Sequence, residues 1–143
     1  LYAPQDTLRQ LLPYLDHIYA DLKIFDSAVH KAYTGVENAQ ILENIRYLLS
    51  DSELRDHVTV RTPLIPEMTA RSENITDIAQ FLQQCYEGVR YELLNYNPLA
   101  KAKYDYLDME YCFDQNPKLY TKEAMESFYR IARDQGIRNL IIE

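Results

Sequence analysis

Glycine is scarce in this chain, with three residues in 143, Gly35, Gly88 and Gly136. Neither a G-x-G-x-x-G turn nor a P-loop can be built from them, which removes the usual backbone cradles for dinucleotides and nucleoside triphosphates. Cysteine is scarcer, and Cys85 and Cys112 are too few and too far apart for a disulfide framework or a four-ligand metal site. Both read as ordinary thiols that behave as small hydrophobes. His17, His30 and His57 show no i, i+4 or His-x-His spacing, so they point to no metal site, and no G-x-S-x-G elbow or adjacent Cys and His supports nucleophilic catalysis. No apolar run approaches the roughly 20 residues of a bilayer span. The opening Leu1-Tyr2-Ala3-Pro4 has neither a basic lead nor an apolar signal region. Basic residues are outnumbered 15 to 22, and the formal charge of −7 argues against a general nucleic-acid or anionic-membrane binder. A soluble, cytoplasmic protein with no nucleic-acid or membrane partner is expected.

What is present is a globular composition, 47% hydrophobic, of a length that fits one domain over residues 1–143. The first residue is not Met and a helix-like segment, Thr7 to Leu12, follows at once, so a further N-terminal portion is expected. Two hydrophobic periods then alternate. His17 to Lys23 alternates like a strand, and Ile41 to Leu49 places apolar residues at helical spacing; His57 to Leu64 is β-branched and alternating, and Ile75, Ile78, Ala79, Leu82 and Cys85 restore the helical stripe. Gly88 stands where a helix C-terminal cap belongs, ahead of a third strand over Val89 to Asn97. Thr121 caps a last helix with Ala124, Phe128, Ile131 and Ala132 on one face, Gly136 closes it, and Ile137 to Ile142 is the final strand. The tyrosine-rich stretch Ala100 to Tyr120 reads as a short helix and a long loop over one end of the sheet. Repeated βα units predict an α/β fold with parallel strands covered by helices, either an open sheet or part of a (β/α) barrel.

In such folds the ligand site lies at the C-terminal ends of the strands. The first strand ends in Asp21-Leu22-Lys23, and its two-residue period puts Asp21 and Lys23 on one side and Leu22 on the other. Arg61 shares a side with Thr59 and points to the barrel interior or mouth. Asn95-Tyr96-Asn97 supplies amides and a ring at the same rim. A carboxylate, an ammonium, a guanidinium and amides on one rim can bind a zwitterionic or carboxylated small molecule with a flat heterocycle. A structural ion pair of Asp21 with Lys23 or Arg61 fits the pattern equally well. The 13 tyrosines are scattered and read mostly as amphipathic packing residues.

Four segments in series, Asp21-Leu22-Lys23, then His30 to Val36 (HKAYTGV) with Asn38, then Arg61 to Pro66 (RTPLIP), then Leu93 to Asn97 (LLNYN) with Lys101 to Tyr104 (KAKY), resemble the glycyl radical enzyme activating enzymes, typified by the pyruvate formate-lyase activating enzyme. The resemblance runs through nearly the whole chain. It implies the C-terminal part of a partial TIM-type (β/α) barrel of the S-adenosylmethionine radical type. Its cofactors are S-adenosylmethionine and a 4Fe-4S cluster, its protein substrate is a glycyl radical enzyme, and its reductant is of the flavodoxin or ferredoxin kind. On the same resemblance Asp21, Leu22, Lys23, Arg61 and Asn97 bind S-adenosylmethionine, with Asp21 also a candidate ligand of a monovalent cation.

The chain departs from the family pattern in several places. It has no Cys-x3-Cys-x2-Cys, so the cluster ligands lie outside it and the chain alone is expected to be inactive. Asn97 stands where many members have histidine, Glu67 where glycine is common, and Asn95 where proline is common. The rival readings are a radical enzyme acting on a small molecule or peptide and a non-catalytic barrel fragment that binds a ligand or partner. An unrelated barrel enzyme acting on a phosphorylated substrate has less support, because Gly-poor loops offer few open N–H groups. A cut barrel exposes a sheet edge, and self-association there is expected.

Overall fold

A computed structural model of the chain describes residues 1–97 and 118–142. The order of elements is α1 (Gln5–Leu11), a 3₁₀ turn (Leu12–Tyr14), β1 (Ile18–Asp21), α2 (Ser27–Thr34), α3 (Ala39–Ser50), a second 3₁₀ turn (Arg55–His57), β2 (Val58–Pro63), α4 (Ser72–Cys85), β3 (Arg90–Leu94), α5 (Lys122–Asp134) and β4 (Asn139–Ile141). The strands form one sheet in the order β1-β2-β3-β4, every neighbouring pair parallel. The expected alternation of parallel strands and helices is therefore present, as part of a (β/α) barrel.

One face of the sheet carries the core. Ile18, Ala20, Val58, Val60, Tyr91 and Leu93 pack with Ile45, Leu48 and Leu49 of α3, Ile75, Ile78 and Leu82 of α4, and Met125, Tyr129 and Ala132 of α5. Full burial of each Val, Leu, Ile or Met side chain among them contributes about 1.5–3 kcal/mol. Of the strand residues of opposite phase Thr59 is buried, whereas Tyr19, Asp21, Arg61, Arg90, Glu92 and Asn139 remain half-buried or exposed. The result is a sheet with a greasy helix-covered side and a polar open side, set by the two-residue period of the strands.

The ends of the elements follow from local chemistry. Asp26 caps α2 by accepting from the Val29 N–H at 2.8 Å, and Gly35 takes the left-handed conformation at its end (φ +80°). Thr121 caps α5 as expected, accepting from the Ala124 N–H at 3.3 Å. Three details differ from the sequence reading. The helix α2 was not anticipated at all. On α5 the fully buried residues are Met125, Tyr129 and Ala132, while Ala124, Phe128 and Ile131 are half-buried, so the inner face is rotated by about one residue. Gly88 is not a left-handed helix cap: α4 ends at Cys85 with Tyr86 as its cap, and a Cβ on Gly88 would lie 2.5 Å from the Tyr86 ring. Its role is to admit that ring. The expected helix and loop over Ala100 to Tyr120 lie mostly outside the described residues.

Candidate functional site

Parallel pairing sets Asp21 beside Arg61 and Arg61 beside Glu92, one row across the C-terminal part of the open face. Arg61 donates from Nε and Nη2 to Asp21 Oδ1 at 3.2 and 3.1 Å, and Lys23 Nζ donates to Asp21 Oδ2 at 3.2 Å. The carboxylate thus sits between two cations, and the three groups together carry one net positive charge. Their side chains are 37%, 31% and 45% exposed for Asp21, Arg61 and Lys23, so the pairing adds only about 0–1 kcal/mol to stability and stays open to a ligand. Of the two sequence readings of Asp21, the ion pair is present, with both Lys23 and Arg61, at the C-terminal end of β1.

A second layer holds this row in place. Leu22 is fully buried in the core, its N–H bonded to the Arg61 carbonyl at 2.9 Å, and its carbonyl accepts from the Thr62 hydroxyl at 2.7 Å. Whatever Leu22 lends to a ligand comes from its backbone position, since its side chain faces the helices. Thr62 in turn accepts from the Tyr91 hydroxyl at 2.9 Å. Tyr91 is completely buried, and that burial pushes its hydroxyl far above the ordinary range, keeping it a neutral donor.

The loops beyond the strand ends are tied by buried amides. Asn74 donates to the carbonyls of Lys23 (2.9 Å) and Thr69 (3.0 Å) and accepts from the Phe25 N–H (2.9 Å), knotting the loop after β1 to the loop after β2. Asn38 donates to the carbonyls of Ile24 and Phe25 at 3.0 and 2.7 Å. The Thr69 hydroxyl donates to the Pro63 carbonyl and accepts from the Ile65 N–H at 2.7 Å. His30 is buried and serves the end of α2, its Nδ1 bonded to the Val36 carbonyl at 2.8 Å. Sequence reasoning took up Asn38 only within a motif and missed Asn74, a polar residue in the first turn of a helix whose other stripe is apolar.

At the third strand end Asn95 differs from the expectation that its amide faces a ligand. Asn95 Nδ2 donates to the Tyr120 carbonyl at 3.0 Å and its Oδ1 accepts from the Tyr120 N–H at 2.9 Å, so its amide is spent on fastening the segment before α5. A cavity of about 430 Å³ lies beside it, lined by Tyr120, Met125, Tyr129, Ile142 and the oppositely charged Lys122 and Glu126. Tyr96 is buried and Asn97 is exposed just past β3. Glu67, in the loop after β2, holds a left-handed backbone (φ +63°) that an L-residue rarely adopts.

Among the described residues no group of three or more His, Cys, Asp or Glu side chains is placed to hold a metal ion. Cys85 is half-buried on α4, where burial pushes its thiol up against an opposing effect of Arg46, and Cys112 lies outside the described residues. One thiol of this kind does not fit a 4Fe-4S cluster. No helix among the described residues is long and apolar enough to cross a membrane.

No family model matches the sequence. Similar proteins include the isethionate sulfite-lyase activating enzyme of Desulfovibrio desulfuricans, 37% identical over 108 residues that are 76% of this chain and 34% of that protein. The indoleacetate decarboxylase activating enzyme of Tractidigestivibacter scatoligenes is 37% identical over 111 residues, 78% of this chain and 34% of that one. The 4-hydroxyphenylacetate decarboxylase activating enzyme of Clostridium scatologenes is 30% identical over 138 residues, 95% of this chain and 43% of that one. The chain spans about a third of the length of the first two relatives. A solved domain of the pyruvate-formate lyase-activating enzyme from Bacteroides vulgatus superposes with a TM-score of 0.71 at 24% identity, covering 100% of this chain and 76% of that domain.

Proposed function

The chain is homologous, over a stretch equal to about a third of their length, to the glycyl radical enzyme activating enzymes, and from that premise we propose that it is the cofactor-binding rim of such an enzyme. Residues 1–143 are then one domain, the C-terminal portion of a barrel that binds S-adenosylmethionine at its strand ends. The protein substrate is a glycyl radical enzyme, and the reductant is of the flavodoxin or ferredoxin class. The 4Fe-4S cluster would be held by residues outside this chain.

The observation that carries the reading is the Lys23, Asp21, Arg61 row at the ends of two adjacent parallel strands. A zwitterionic amino-acid tail matches it group for group. Its ammonium finds Asp21, and its carboxylate finds Lys23 or the guanidinium of Arg61, a charge-assisted pairing. Leu22 supports the row from the core, and Asn97 is assigned to the adenosine end.

Isothermal titration of the chain with S-adenosylhomocysteine tests the binding role. Saturable binding that Asp21→Asn and Arg61→Ala each weaken at least ten-fold is expected, whereas absence of binding by the unaltered chain removes the assignment. The natural full-length protein, purified without oxygen, is expected to absorb as an iron-sulfur protein and to release 5′-deoxyadenosine on reduction. A colourless, inactive full-length protein would overturn the enzymatic reading.

A further inference from the structure

Tyr19 lies on the polar face of the sheet with 58% of its surface exposed, so the core has no need of its ring. The ring nevertheless has two close partners. The Arg61 Cζ lies 4.6 Å from its centroid, and the His17 ring lies 4.7 Å away at 57°. His17 Nε2 is hydrogen-bonded at 3.1 Å to Oγ1 of Thr59, a buried residue of β2, which anchors this end of the stack to the sheet. At the other end Arg61 turns Nε and Nη2 to Asp21 Oδ1 at 3.2 and 3.1 Å. The guanidinium is thereby held by one edge and one face, and no bond from Nη1 to a described residue accompanies them.

We propose that Tyr19 is a positioning residue: its ring fixes the plane of the Arg61 guanidinium so that the remaining edge, at Nη1, is presented to the carboxylate of an amino-acid ligand. An arginine on an open face otherwise samples many rotamers, and each must be frozen out when a planar, two-point contact forms. The stack does that ordering before the ligand arrives, which raises affinity without a new contact to the ligand. The ligand part of this inference rests on the S-adenosylmethionine reading of the row; the ordering of Arg61 does not.

The test uses the 143-residue chain and three variants, Tyr19→Phe, Tyr19→Leu and Tyr19→Met, the last standing in if the leucine variant does not fold. Two readouts are taken together. In proton NMR the δ-methylene resonances of Arg61, assigned by their loss in Arg61→Lys, are expected upfield in the parent and in Tyr19→Phe and near random-coil positions in Tyr19→Leu. The Kd for S-adenosylhomocysteine is expected to rise about three- to five-fold in Tyr19→Leu and to stay put in Tyr19→Phe, the size of an exposed cation–π contact. In the Arg61→Lys background the leucine change should add little. Unmoved Arg61 resonances in Tyr19→Leu, or equal weakening by Phe and Leu, overturns the proposal, the second outcome pointing to direct contact through the hydroxyl. If the parent does not bind the ligand, the functional reading falls and the resonances alone decide whether Tyr19 orders Arg61.

Discussion

Glu67 carries the clearest sign of local cost, a left-handed backbone without the freedom of glycine. Exposed substitutions ordinarily change stability by less than about 0.5 kcal/mol. Here Glu67→Val is expected to cost about 1–2 kcal/mol, because a β-branched residue tolerates that conformation least, while Glu67→Gly should be neutral or stabilising. Urea titrations of the three proteins check this, and equal midpoints would mean the loop adapts. Tyr91 gives a second residue-scale prediction. Burial raises its hydroxyl above the ordinary 10.0, so the native state holds the proton more tightly than the unfolded chain. A raised group of this kind contributes its full stability below pH 10.0 and loses it as pH climbs further. Stability should therefore fall more steeply above about pH 10 in the parent than in Tyr91→Phe, by the linkage of that one proton. Parallel curves from alkaline unfolding would assign the fall to other groups.

At the scale of elements the junction between α4 and β3 is tightly specified. Tyr86 donates to Asp56 Oδ1 at 2.8 Å, lies under the Arg55 guanidinium (4.5 Å), and covers Gly88 so closely that a Cβ there would have to displace the ring from these partners. Gly88→Ala is expected to lower the melting temperature in the parent and to have little effect in a Tyr86→Ala background, a non-additivity that direct contact requires. Additive losses would place the strain elsewhere. The sequence made β1, α3 and α4 legible because each buries one face of a regular period, and β2 because its run is β-branched and alternating. It also placed Asp21 and Arg61 together, since period-2 phase and the strand-end rule both apply to them. Helix α2 escaped because His30 is its one buried residue, so its signal lies in the caps Asp26 and Gly35 and not in a stripe. Gly88 was misread because chain position suggests a cap, whereas the ring that excludes a side chain there is visible only in three dimensions. Tyr19 and Asn74 were not recognisable for a similar reason: the partner that gives each its meaning, Arg61 or Lys23, comes from another element.

For the molecule as a whole, the sheet has two outer strands, and they are not equivalent. Among the described residues β1 pairs with β2 alone and β4 with β3 alone. In the segment leading into β1, Leu11, Tyr14 and Leu15 expose apolar surface, while β4 is three residues long and offers a shorter template. An unpaired strand next to exposed apolar side chains is the usual seed of edge-to-edge pairing. In the barrel proposed for the full-length protein, the β1 edge is where an additional parallel strand would add. The 143-residue chain should use the same edge to meet a second copy, giving a sedimentation coefficient that rises with concentration. Charges in the segment leading into that strand disfavour such pairing, so Tyr14→Lys with Leu15→Lys should return the chain to a single slow species without altering its melting temperature, because neither side chain is in the core. A parent that sediments as a monomer at high concentration, or association that survives the two lysines, would shift attention from the β1 edge to the open polar face that carries Asp21 and Arg61.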